Sequence, residues 1–199
     1  HSLISLYSGA GGLDLGLEAA GFSVALCVES NHRCRENLQL NRPKWKLAEP
    51  GDISLLAPQD ILDQADLKPG QPSLIAGGPP CQPFSHSGSW VNGGGERLKD
   101  PRAQTFYALL DLVEHALPEV VLIENVKGLI FRNKDEGWDL TQKSFESINK
   151  CAGTRYSPII LKVNAASYGV PQLRERVFIV AHREGSAFEM PSPTHASPD

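Results

Sequence analysis

Short apolar runs rich in β-branched residues alternate along this chain with stretches whose apolar positions recur every three or four residues. The runs at 3–7, 24–29, 74–76, 120–124, 159–163 and 177–181 predict strands, with a weaker one near 46–48. The stretches at 13–20, 33–41, 59–64, 103–117 and 141–150 predict helices. This alternation predicts an α/β fold with a mostly parallel sheet covered by helices on both faces. Only a polar turn region, 165–176, separates the last two strands, so they predict an antiparallel hairpin at one edge. The glycine-rich segment 90–97 reads equally as a lid or as a surface connector. The segment 190–199 is rich in Pro and Ser, which predicts one domain over 1–189 followed by the start of a linker.

Composition narrows the class. The chain has 199 residues, 41% of them hydrophobic, enough for one domain with a substantial core. No apolar run reaches the length of a membrane span, and no secretory leader is visible, which predicts an intracellular protein with no membrane partner. Cys27, Cys34, Cys81 and Cys151 show no metal-ligand spacing, so free thiols in a reducing compartment and no metal are expected. The net charge of −4 runs against a broadly basic, phosphate-binding surface, although a basic cleft on an acidic body is compatible with it.

Two groups of residues carry chemistry. At one end of the pattern, Tyr7-Ser8-Gly9-Ala10-Gly11-Gly12-Leu13-Asp14 follows the first strand and opens the first helix. Glycines there let backbone approach a ligand, and the helix start favours negative charge. The spacing departs from the dinucleotide pattern GxGxxG. Glu29 closes the second strand about 20 residues beyond the glycines, where an acid can accept two ribose hydroxyls. Asp52 stands where the third strand should end and could accept from an adenine amino group. Together they point to an adenosine ligand, with either nicotinamide or methionine as its remainder.

At the other end, Gly77-Gly78-Pro79-Pro80-Cys81-Gln82-Pro83-Phe84-Ser85 puts a thiol in a stiff loop directly after an apolar run. A cysteine at the carboxyl end of a strand in such a fold lies where ligands bind. The apolar run 120–123 ends in Glu124 and Asn125, predicting a buried acid near the same sheet edge as Cys81, with burial favouring its protonated form. In Gln172-Leu173-Arg174-Glu175-Arg176, alternation puts Gln172, Arg174 and Arg176 on one face. Two guanidiniums there could hold a carboxylate, orient a polar substrate edge or contact phosphate.

Taken in order, these segments resemble the DNA cytosine-C5 methyltransferase family. The glycine turn 7–16, the loop 79–84, Glu124-Asn125-Val126 and the run 172–176 carry the resemblance. Asp100-Pro101-Arg102, Asn164-Ala165, Tyr168-Gly169-Val170-Pro171 and Pro193-Thr194-His195 add to it. The resemblance implies a Rossmann-like methyltransferase sheet that binds S-adenosylmethionine, gives S-adenosylhomocysteine as product and needs no metal. It implies that Tyr7 packs on the adenine, Glu29 holds the ribose, Asp52 binds the adenine amino group, and Ile53 and Pro80 complete the pocket beside Gly9, Gly11, Gly12 and Leu13. It further implies that Cys81, as thiolate, adds to C6 of a flipped-out cytosine while Glu124 stabilises a proton at N3. Arg176 would lie near the cytosine carbonyl oxygen with Arg174 supporting it. Ser85 and Ser87 would contact phosphate, Gln172 the substrate, and Asn125 would brace the site.

Family members normally continue into a target-recognition segment and a later segment that returns to the first domain, and neither is in this sequence. The chain is therefore expected to be a catalytic part of a longer protein, one subunit of a split enzyme, or a remnant. Its expected partners are double-stranded DNA and a second chain or domain that reads the target. In a bacterium the expected location is cytoplasmic and nucleoid-associated. A transfer-RNA cytosine methyltransferase, a nicotinamide-dependent oxidoreductase and a non-catalytic DNA-binding module are the competing readings. The oxidoreductase gives no role to Cys81 or Glu124, and the module has no use for a poised thiol.

Overall fold

A computed structural model describes residues 1–80, 104–127 and 136–195. Cys81, Ser85, Ser87, Asp100-Pro101-Arg102 and the segment 90–97 lie outside the described residues. Six strands form one sheet: β1 (Ser2–Leu6), β2 (Ser23–Val28), β3 (Leu74–Gly77), β4 (Val120–Asn125), β5 (Ile159–Asn164) and β6 (Glu175–His182). Their spatial order is β2-β1-β3-β4-β6-β5. Strand β1 pairs in parallel with β2 and with β3, and β5 pairs antiparallel with β6 at the edge, as the polar turn between them implied. The helices are α1 (Gly12–Ala19), α2 (His32–Asn41), α3 (Pro58–Gln64), α4 (Gln104–Ala116) and α5 (Glu136–Ala152).

The chain divides into two compact units, the first made of His1–Pro80 and Gln104–Leu122, the second of the described residues from Ile123 onward. In the first unit β1 is flanked on both sides, so its residues are buried from Leu3 to Leu6, polar Ser5 included. Leu3, Leu74 and Ala76 form a core cluster against which Leu13 and Leu17 of α1 pack, together with Phe22, Val24, Val120 and Leu122. Helix α4 turns Phe106, Leu109, Leu110, Leu112, Val113 and Ala116 inward, the stripe expected of a helix with one covered face. Cys27, Leu38 and Trp45 make a second cluster.

Local chemistry sets the helix starts. Asn31 accepts from the Cys34 N–H at 3.2 Å to cap α2, and Asp60 accepts from the Ala57 N–H at 3.0 Å ahead of α3. The weak strand expected near 46–48 is a single parallel bridge between Cys27 and Leu47. In the second unit, Phe145 and Ile148 of α5 are buried, and Phe145 meets Tyr156 with ring centroids 5.3 Å apart. Helix α5 begins five residues before the sequence pattern does, because Gly137 in its first turn weakens the helical signal there. Residues 191–195 lie on the turn after β5: the Thr194 and His195 N–H groups both donate to the Ser167 carbonyl.

Candidate functional site

The glycine turn is built from left-handed backbone at alternate positions, with φ of 55° at Tyr7, 56° at Gly9 and 83° at Gly11. Tyr7 holds this conformation against a penalty of about 1–3 kcal/mol. Its backbone N–H donates to the Val28 carbonyl at 2.8 Å and its phenol donates to the Thr105 carbonyl at 2.5 Å, so the residue is held at its backbone and at the tip of its ring. Burial, and secondarily the negative charge of Asp52, push the phenol above its ordinary range. Gly11 caps α1, and a Cβ there would come within 2.9 Å of Leu38. Gly12, by contrast, faces open space, with nothing within 4 Å of where a Cβ would stand. Leu13 sends its side chain toward the Leu3 core cluster.

Glu29, 8% exposed, is tied to this turn directly. One carboxylate oxygen accepts from the Gly9 N–H at 2.7 Å and the other from the Asn31 N–H at 2.7 Å. Each oxygen has a further lone pair, so the acid can also accept ligand hydroxyls. Asp52 is exposed, and its Oδ1 accepts from the backbone and hydroxyl of Ser54 at 2.9 and 2.8 Å, capping a short 3-10 turn. That turn buries Ile53, while Pro80 is exposed at the end of the described segment. Tyr7, Gly9, Glu29, Asp52 and Ile53 thus share one unit, with Tyr7 coupled to Asp52 and Gly9 bonded to Glu29.

Two residues here carried no signal in the sequence. Arg35 of α2 donates to the carbonyls of Glu29 and Ala48, binding the end of β2 to the segment that leads to Asp52. Asp14, in the first turn of α1, is fully buried, and neither oxygen meets a donor at bonding geometry. Burial pushes its carboxyl upward, partly offset by the neighbouring Ser5 hydroxyl, which is itself bonded to Ser8 at 2.8 Å. An arginine and an aspartate on helices read as solvated charges unless their depth is known.

In the second unit, Glu124 stands on β4 with its carboxylate 2.9 Å from Arg176 Nε and 3.9 Å from Arg174 Nη2. The sequence predicted a buried acid. The side chain is instead 25% exposed and meets two guanidiniums. Both arginines reach it because β6 neighbours β4 in the sheet, while on its other side β6 pairs with β5, Arg176 opposite Val163 and Glu175 opposite Asn164. The Asn164 side chain accepts from the Ala166 and Arg174 N–H groups at 3.2 Å each, closing the turn before β6. Asn125 is buried, and its Oδ1 accepts from the Val126 N–H at 2.8 Å. Gln172 is exposed. Among the described residues no group of three or more His, Cys, Asp or Glu is gathered as metal ligands, and no helix is long and apolar enough to cross a membrane.

Known proteins resemble this chain over nearly its whole length. A Type II methyltransferase, M.AquIA of a Picosynechococcus strain, is 43% identical over 195 residues, covering 97% of this chain and 76% of that protein. The Type II methyltransferase M.SacI of Streptomyces achromogenes is 36% identical, covering 98% of this chain and 51% of that protein. A prophage-encoded Escherichia coli protein described as a DNA modification methyltransferase superposes with a TM-score of 0.74 at 30% identity, covering 99% of this chain and 52% of that one. The chain thus spans about three quarters of one such relative and about half of the others. The C-5 cytosine-specific DNA methylase family matches across residues 1–199, and the chain belongs to that family.

Proposed function

We propose that this chain is the catalytic part of an enzyme that methylates carbon 5 of cytosine in double-stranded DNA, with S-adenosylmethionine as methyl donor. The observation that carries the reading is the carboxylate of Glu124 at the end of β4, met by Arg176 at 2.9 Å and faced by Arg174 at 3.9 Å. A strand-end acid flanked by two guanidiniums suits a pyrimidine edge, where one group must hold a ring proton and another must face a carbonyl oxygen.

The first unit offers a fitting place for the adenosyl group. Glu29 presents a carboxylate already oriented by two backbone amides, Tyr7 a tethered ring, Asp52 an exposed acid, and Gly12 an opening free of any side chain. Ile53 and Pro80 complete that pocket in this reading, with Gly9, Gly11 and Leu13 supplying backbone. When bound, S-adenosylmethionine supplies an electrophilic methyl group on a sulfonium.

Cys81 is the nucleophile. Its thiolate sulfur bonds to C6 of the extruded cytosine, and the C5–C6 electron pair shifts to C5, which becomes nucleophilic. Glu124 holds the proton at N3 that makes this addition feasible. Arg176 faces the carbonyl oxygen, and Arg174 supports Glu124. Once C5 carries its new substituent, loss of the C5 proton returns an electron pair to the ring and expels the Cys81 sulfur. Ser85 and Ser87 contact phosphate beside the extruded nucleotide, Gln172 contacts the substrate, and Asn125 braces the strand end. A second chain or domain supplies target recognition, in a restriction–modification setting of the kind its Type II relatives suggest.

The test is tritium transfer from labelled cofactor to duplex DNA, run beside transfer RNA. Wild-type protein labels cytosine in DNA, and Cys81→Ala abolishes the label while retaining S-adenosylhomocysteine binding. Transfer by Cys81→Ala at the wild-type rate would remove the nucleophile from the proposal. Label entering transfer RNA alone would move the chain to an RNA substrate.

A further inference from the structure

The end of β2 and the segment bearing Asp52 are held together by one side chain. Beyond the single bridge at Cys27 and Leu47, where the Cys27 N–H donates to Lys46 and the Ala48 N–H to Cys27, parallel pairing stops. The carbonyls of Ala48 and Glu29 therefore lie past the end of the ladder. Arg35, reaching from α2, donates Nη1 to the Ala48 carbonyl at 2.9 Å and to the Glu29 carbonyl at 3.1 Å. Its Nη2 pairs with the exposed Glu49 carboxylate. The guanidinium stem is mostly enclosed, its side chain 14% exposed. Space for it exists only because residue 51 is glycine: a Cβ there would stand 2.2 Å from the Glu29 carbonyl oxygen and 2.5 Å from Arg35 Nη1.

We propose that Arg35 is a positioning residue for the adenosyl pocket, clipping Glu29 to the Ala48–Gly51 segment and so fixing Asp52 relative to Glu29. The assignment rests on the cofactor reading above, in which those two acids bind the ribose and the adenine. A charge-assisted hydrogen bond to each of two carbonyls suits this task, because the planar fork fixes direction as well as distance. An ammonium or a neutral chain in its place would leave the two segments free to separate.

Calorimetry of S-adenosylhomocysteine and of adenosine with wild type, Arg35→Met, Gly51→Ala and Glu49→Gln decides the matter. Loss of two such bonds predicts that Arg35→Met weakens both ligands by roughly tenfold or more, and by the same factor, since the affected contacts lie on the shared adenosine half. Gly51→Ala weakens them in the same sense by displacing the guanidinium. Glu49→Gln stays within about twofold, its partner carboxylate being exposed and solvent-screened. A purely structural role would lower the melting temperature and leave the affinity of the folded protein unchanged. Folded Arg35→Met binding within twofold of wild type overturns the inference. If Arg35→Met shows no cooperative unfolding, Gly51→Ala at wild-type affinity overturns it instead. Failure of the wild type itself to bind S-adenosylhomocysteine overturns the cofactor reading, and that failure is seen before any variant is compared.

Discussion

Each unit of the molecule holds one acid in place, and the two are held by different chemistry. Glu29 is fixed by backbone: two main-chain N–H groups grip its two oxygens at 2.7 Å, within a turn whose shape is set by left-handed residues. Glu124 is fixed by side chains, Arg176 and more distantly Arg174, at the start of an edge hairpin. Backbone amides cannot titrate and move only with the loop, so the first arrangement suits recognition of an unreactive group such as a sugar. Long guanidinium side chains can slide and change partners, so the second suits an acid whose proton and partner change during a reaction.

Exchanging acid for amide at both places sharpens this contrast. Glu124→Gln should lower the single-turnover methylation rate by about a hundredfold or more, the usual scale of a lost proton-handling group, while cofactor affinity stays near wild type. A rate within a few fold of wild type would remove Glu124 from the chemistry. Glu29→Gln should do the reverse. The amide must turn its NH2 toward either the Gly9 or the Asn31 N–H, leaving donor against donor at a cost of about 1–3 kcal/mol. S-adenosylhomocysteine affinity should fall about tenfold, with a lower melting temperature and a smaller effect on rate at saturating cofactor. Equal losses in rate and affinity from either variant would erase the distinction between the two ends.

A milder probe acts on the guanidinium side. Arg176→Lys keeps the charge but loses the planar donor at Nε that meets Glu124 at 2.9 Å. Methylation should fall by roughly five- to tenfold, less than with Glu124→Gln, because Arg174 and the lysine still face the carboxylate. A loss as large as that of Glu124→Gln would give Arg176 a chemical role of its own.

Much of this was legible in the sequence. Alternating β-rich and amphipathic stretches gave every strand of the sheet within a residue or two, since each is built around a short apolar run. The edge hairpin followed from the polar turn at 165–176. Tyr7, Glu29, Asp52, Glu124, Arg174 and Arg176 could be singled out because each sits at a strand end or a turn, where side chains leave the core. The three-dimensional clips were not legible. Arg35 and Asn164 act on backbone carbonyls and amides up to 13 residues away, and nothing in a side chain's identity announces such a partner. The environment of Glu124 escapes the sequence for a related reason: an apolar run predicts burial, but the pair that meets the acid comes from the start of β6 and the residue before it, about 50 residues later. Cys81, on which the proposed chemistry turns, lies outside the described residues, and its role stands on the family resemblance and the proposed mechanism.

The smallest expected effect concerns Asp14, which lies at the backbone-fixed end. Fully buried at the start of α1, it meets no donor at bonding geometry, and burial raises its carboxyl above the ordinary value of 3.8. The folded chain therefore keeps this proton at a pH where the unfolded chain has released it. Folded-state stability from Asp14 is complete below about 3.8 and is lost progressively as pH rises through the raised value. Neighbouring Cys27 does not confuse the reading, since burial, reinforced by Asp14, pushes its thiol up to about 12 and keeps it neutral throughout. Asp14→Asn preserves shape and removes the titration. Its melting temperature minus that of wild type should grow as pH rises above about 3.8 and level off once pH passes the raised value. A difference that stays flat would mean that Asp14 is compensated in solution, for example by a water between it and the Ser5–Ser8 pair. The glycine turn would then be satisfied in the same manner as Glu29, by partners that hold a charge rather than by exclusion of one.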